Sequence, residues 1–185
     1  MAIVINGSGT ITGISAGGLP TGCITSDTLA AGVGGKVLQV VSTAKTDAGT
    51  MTNTSYTQVA GLSVNITPLS TSSKILLMCT YNIGGSSSTQ AYSALFRDDT
   101  QIALGDANGS RVRASTQQIE NQTNEITSSG ITFLDSPNTT SQITYGIRAK
   151  TQGTSTLYIN RGVTWSNTTQ SATNCSVITA MEISA

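Results

Sequence analysis

The chain has 185 residues, 37% hydrophobic, 10% charged and 4% aromatic, with nine basic side chains, nine acidic ones and no histidine. Charge falls well under the ~25% typical of globular domains, and Ser, Thr, Asn, Gln and Gly fill the gap, which suits an all-β protein wetted by hydroxyls and amides. Scattered Lys and Arg at net charge zero argue against nucleic acid as a partner. The lack of any run of ~18 apolar residues argues against membrane insertion.

Residues 1–35 read as extended chain and turns, broken at Gly17-Gly18, Leu19-Pro20 and Gly34-Gly35. The start, MAIVINGSGT, has neither the basic flank nor the long apolar stretch of a signal peptide. Ile14, Leu19, Ile24 and Leu29 follow one another every five residues, a period that matches neither helix nor strand. One apolar residue in five cannot build a core alone. It can be buried where copies wind together or lie on another protein, so Ile14, Leu19, Ile24 and Leu29 are the expected attachment and trimerisation residues. A short helix is expected over residues 25–32, with Thr25 or Ser26 as its cap.

From Lys36 the texture changes, and residues 36–185 read as one β-domain. Val37–Val41 is a strand-length apolar run, and 45–55 is expected to be a polar loop. Tyr56–Val59 and Leu62–Ile66 alternate with period 2, and Pro68 ends the second stretch. Lys74–Tyr81 (KILLMCTY) is apolar on both faces, as in a central strand covered on both sides. In a sandwich one face meets the core, so Leu76 and Met78 on the other are the expected subunit interface. Ala91–Arg97 and Gln101–Leu104 flank an Asp98-Asp99-Thr100 turn, a hairpin signal. Residues 112–124 suit exposed strands or a long loop. Gly130–Leu134, Gln142–Ala149, Thr156–Val163 and Ser176–Ile183 resume the strand pattern. About eight to ten short strands over ~150 residues favour a jelly roll over an immunoglobulin-like sandwich.

The chemistry-bearing residues point away from catalysis. Without histidine there is no Ser–His or Cys–His nucleophile and the commonest metal ligand is missing. Cys23, Cys79 and Cys175 lack zinc spacing, and no phosphate loop occurs. Cys79 and Cys175 are expected as buried thiols. Asp98, Asp99, Asp106, Glu120, Glu125 and Asp135 mostly fall in turns, where solvated carboxylates are ordinary. No enzymatic activity, cofactor or metal is therefore expected. Tyr92, Tyr145 and Tyr158 fall inside strands and suit core or interface, whereas Trp165 precedes the polar stretch 166–174 and is the candidate glycan contact.

Residues 18–41 (GLPTGCITSDTLAAGVGGKVLQVV), 59–78 (VAGLSVNITPLSTSSKILLM), 95–111 (LFRDDTQIALGDANGSR) and 176–183 (SVITAMEI) together resemble tail-fibre-like virion proteins of tailed bacteriophages, including those of cyanobacterial and marine hosts. The resemblance implies a homotrimer with a jelly-roll C-terminal domain, similar to the C1q and tumour-necrosis-factor arrangement. It also implies an intertwining N-terminal segment, residence in the virion, and other virion proteins of tail or capsid as partners. It supplies no catalytic residues. The function so implied is a short trimeric fibre or spike anchored by its N-terminus and exposing a β-domain to host surface polysaccharide. Long tail fibres carry a large N-terminal domain and a shaft, where about 35 residues stand here. A head fibre or a capsid decoration protein fits that economy equally.

Overall fold

The structure is a computed structural model describing residues 4–5, 11–12, 36–86, 89–120 and 125–184. The chain divides into two units, Met1–Lys36 and Val37–Ala185. In the first unit, β1 (Val4–Ile5) pairs antiparallel with β2 (Ile11–Thr12). The five-residue ladder of Ile14, Leu19, Ile24 and Leu29, the expected helix over 25–32, and Cys23 lie outside the described residues.

The second unit is all-β, with two packed antiparallel sheets built from β3 (Val37–Lys45), β4 (Gly49–Met51), β5 (Thr57–Ile66), β6 (Lys74–Gly85), β7 (Thr89–Arg97), β8 (Thr100–Ile102), β9 (Thr116–Glu120), β10 (Thr127–Asp135), β11 (Ile143–Thr151), β12 (Leu157–Ile159) and β13 (Ser176–Ile183). The first sheet runs β3–β13–β6–β12–β4, with β10 on the other edge of β6, and the second runs β5–β11–β7–β8, with β9 also on β7. β4, β8 and β12 are three-residue strands. With those set aside, the remaining strands counted in chain order pair as 1-8-3-6 in one sheet and 2-7-4-5 in the other. That is the double Greek key of a jelly roll.

Alternation puts one face of each strand inside. Ile75, Leu77, Cys79, Tyr81 and Ile83 of β6 meet Leu62, Val64, Ile66, Leu95, Tyr145 and Ile147 of the second sheet, all buried. Burial pushes the Cys79 thiol up to about 12, so it stays protonated. Polar groups close both ends of this core. At the Lys45 end, Asn160 donates through Nδ2 to the carbonyls of Lys45 (2.8 Å) and Asp47 (3.0 Å) and accepts from the Ser176 hydroxyl (2.5 Å). At the Val37 end, Arg97 pairs with the buried Asp135 across the sheets (3.0 Å), and the Tyr145 hydroxyl donates to the same carboxylate (2.6 Å). Buried Glu182 lies two strands away in the same row, with Ile75 between it and Asp135, and accepts from Gln39 (2.5 Å) and from the Leu69 N–H (2.7 Å).

Four details differ from the sequence expectations. The polar stretch 45–55 contains β4, held at the sheet edge by β12. Thr156–Val163 forms a strand only over Leu157–Ile159, because Asn160 turns left-handed (φ 60°) to reach the Lys45 carbonyl. Tyr56–Val59 and Leu62–Ile66 belong mostly to one strand, β5, interrupted by a bulge. Cys175 is exposed, since it precedes β13 and lies outside the alternation that buries Ser176 and Ile178.

Candidate functional site

The outer face of the first sheet carries the largest concentration of uncovered apolar side chains in the second unit. Strand register sets Val40, Met181, Leu76 and Leu134 side by side on four adjacent strands. Val40 is 52% exposed and Leu134 48%, while Leu76 and Met181 are half-buried by their neighbours. One step toward the Val37 end, Ile183 stands opposite the exposed Val37. One step the other way, Met78, 37% exposed, lies between Thr179 and Thr132. The row after that is Ala44, Val177, Thr80 and Gly130. The face therefore carries its large apolar side chains toward the Val37 end and smaller or hydroxyl-bearing ones toward the other. Leu76 and Met78, the expected interface residues, both point onto it. Val40, Met181 and Leu134 join them by register. Their alternation is visible in the sequence, but which strands are neighbours is not.

A second site lies at the opposite end of the sandwich. β3 runs nine residues from Val37 to Lys45, so the two ends are roughly 30 Å apart at ~3.3 Å per residue. At the far end the connection from β12 to β13 forms a loop. Its base is closed where the Asn160 N–H donates to the Asn82 carbonyl and the Asn174 N–H donates to the Asn160 carbonyl, both at 2.9 Å. Within it the Arg161 guanidinium lies 4.5 Å from the Tyr158 ring centre and 4.9 Å from that of Trp165. Cation–π attraction joins the three side chains in one stack. Trp165 remains 53% exposed and borders a cavity of about 390 Å³ with Ser166, Asn167, Thr168, Ser171 and Thr173. The sequence places Tyr158 in a strand and Trp165 before a polar stretch, and nothing local in it joins either to Arg161. The seven-residue spacing of Tyr158 and Trp165 around a lone Arg is the only trace the stack leaves in the sequence.

Asp98, Asp99 and Asp135 are engaged in structure. Asp98 adopts the left-handed region (φ 50°) in the β7–β8 turn and accepts from the Thr144 N–H at 2.9 Å, while Asp99 pairs with Arg148 at 2.8 Å. Arg148 in turn covers the Phe96 ring at 4.3 Å. Asp135 is the buried inter-sheet partner of Arg97 and Tyr145, and Asp106 is exposed. The Glu120 side chain lies outside the described residues. Of the tyrosines inside strands, Tyr81 and Tyr145 are in the core, whereas Tyr92 and Tyr158 are half-buried.

No family model and no curated protein matches the chain. Among solved structures, chains of infectious bursal disease virus are similar at 10% identity: the Gx strain at TM-score 0.40, covering 80% of this chain and 37% of the other. The Gt strain gives TM-score 0.38, covering 80% and 38%. The chain thus spans well under half the length of those it matches, and likeness of this degree carries no argument about function. The functional reading rests on the face and the loop described above.

Proposed function

We propose that the chain is a virion structural protein of a tailed bacteriophage, a short homotrimeric fibre or spike. Residues 1–35 join it to other virion proteins, and the sandwich projects its β12–β13 loop end toward the host surface polysaccharide. The observation that carries this reading is the row Val40–Met181–Leu76–Leu134 on the outer face of the first sheet. A row of large apolar side chains across four strands gains ~25 cal/mol for each Å² removed from water, and no strand of its own sheet or of the facing sheet covers it. Threefold closure is the arrangement that the resembling virion proteins imply, and this face supplies the apolar surface that closure buries. The gradient along the face fits the same geometry. Association is tightest at the Val37 end, where the large apolar side chains lie.

The test is the mass of the full chain in solution. Sedimentation equilibrium at micromolar concentration is expected to give three times the 19.0 kDa chain mass. Met78→Glu combined with Leu134→Glu is expected to give a monomer with an unchanged strand spectrum, because both side chains are already exposed in the single chain. A wild-type monomer would overturn the proposal. Labelled antibody on intact particles then locates the protein. Copies at the tail support the fibre reading, whereas copies matched in number to capsid symmetry sites replace it with a capsid decoration or head-fibre role.

A further inference from the structure

The Trp165 loop has the construction of a binding site, and its chemistry selects one ligand class. Three observations bear on it. First, the indole is held in place from one side. The Arg161 guanidinium lies over the Tyr158 ring (4.5 Å) and over the Trp165 ring (4.9 Å), and its Nη1 donates to the Gly162 and Val163 carbonyls of its own turn at 3.3 and 3.4 Å. An aromatic face fixed before binding loses little side-chain freedom when a ligand arrives. Second, the cavity beside the indole, about 390 Å³, falls within the range of small-ligand sites and is shaped by turns within the loop, Thr168 N–H to Ser166 carbonyl (2.8 Å) and Ser171 N–H to Thr168 carbonyl (3.2 Å). Third, its lining of Trp165, Ser166, Asn167, Thr168, Ser171 and Thr173 combines one flat apolar surface with hydroxyls and an amide and carries no charge.

Each feature removes a class of ligand. A wholly apolar ligand would leave the Asn167, Ser and Thr groups without partners, and an anion would lose its hydration with no opposite charge in the lining to replace it. A ligand with one apolar face and a rim of neutral hydroxyls satisfies both requirements.

We propose that Trp165 is the stacking platform of a site for a neutral pyranose unit, such as a hexose or N-acetylhexosamine within a polysaccharide. The C–H face of the ring lies on the indole, and Asn167 with the Ser and Thr hydroxyls bonds its hydroxyls. Arg161 is a positioning residue, holding the indole flat from the side of Tyr158. The inference rests on the reading of this end as the one turned toward the host surface.

Trp165 is the sole tryptophan of the chain, so its emission reports this site alone. Titration of the full-length protein with maltotriose, mannotriose, galactobiose and chitotriose is expected to shift Trp emission saturably for at least one of them. Polygalacturonate and alginate at equal monomer concentration are expected to leave it unmoved. Trp165→Ala is expected to weaken binding of the active sugar at least tenfold by calorimetry, while Trp165→Phe retains most of it. Arg161→Lys keeps the charge but not the planar stack. It is expected to weaken binding several-fold and to increase the rotational freedom of the indole, read as lower steady-state anisotropy, whereas a residue serving only the fold would leave anisotropy unchanged. An unchanged melting temperature in each variant shows that the sandwich is intact. Absence of any response to the neutral sugars at millimolar concentration, preference for the anionic polymers, or undiminished binding by Trp165→Ala would each overturn the site. The outcome is separable from the assembly proposal: a trimer that binds none of these sugars removes the site alone, and a monomer that binds them removes the trimer alone.

Discussion

Asn160 ties three segments of the second unit together. Its amide donates to two carbonyls of the β3–β4 connection, its carbonyl oxygen accepts from Ser176, and its backbone closes the base of the Trp165 loop. Its φ of 60° is one that Asn tolerates better than most residues. Asn160→Asp replaces a donor with a carboxylate oxygen facing two carbonyls in a buried position. Urea denaturation is expected to show a loss of about 3 kcal/mol or more, with Asn160→Ala costing about 2 kcal/mol. Glu182 makes the corresponding prediction for acid. Burial alone pushes its carboxyl up, but the hydrogen bonds around it, those from the Gln39 amide and the Leu69 N–H among them, together outweigh that and hold it below the usual 4.5. A carboxylate with a depressed folded value contributes stability that is fully present above 4.5 and lost as pH falls through the folded value. The melting temperature is therefore expected to drop below pH 4.5, less steeply in Glu182→Gln, which sacrifices roughly 1.5–3 kcal/mol at neutral pH in exchange. Neither role was legible beforehand. Asn160 sat in what reads as a strand, and Glu182 looked like an ordinary polar residue in the closing one, because their partners are 115 and 143 residues away.

β5 shows how an element can be read correctly in its pieces and still be missed as a whole. Both alternating stretches are strand, but four residues, Val59–Leu62, stand opposite Ile147 alone, with Gly61 left-handed at φ 76°. The Gln58 amide fills the bulge, reaching the carbonyls of Val59, Leu62 and Ile147 at 3.0 to 3.1 Å. Gly146 on β11 lacks a side chain because a Cβ there would land on that amide. Gly146→Ala is expected to expel Gln58 and strand three carbonyls, lowering stability by about 2 kcal/mol in thermal melts, with Gln58→Ala losing a similar amount. Alternation revealed both halves of β5. It could not reveal the bulge, whose partner is a glutamine side chain rather than a periodic one. For the same reason β4 looks like loop in the sequence: its three residues are strand only because β12 pairs with them.

In the second unit as a whole, the two faces of the first sheet have different fates. The inner face meets the second sheet, with buried polar groups at each end. The outer face is apolar from Val37 to Met78 and finds no cover among the described residues. If copies supply the cover, folding and association are linked, and stability depends on concentration. The melting temperature is then expected to rise by several degrees between 1 and 100 µM chain, an effect that Met78→Glu with Leu134→Glu abolishes. A concentration-independent melt of the wild type would contradict the trimer.

Composition, period-2 alternation and turn residues by themselves determined that residues 36–185 are all-β and sandwich-like, with a length that favours a jelly roll, that Lys74–Tyr81 is a central strand, and that Leu76, Met78 and Trp165 stand apart from the core. These are local properties: strand geometry turns every second side chain to one face, and the hydrophobic effect sorts those faces without reference to distant sequence. Tertiary structure alone decided that Val40, Met181 and Leu134 line up with Leu76, that Arg161 ties Tyr158 to Trp165, and that Asn160 and Glu182 close opposite ends of the core. Each of these depends on which strands become neighbours. Neighbours are chosen by pairing and packing across more than a hundred residues, and no local period records that choice.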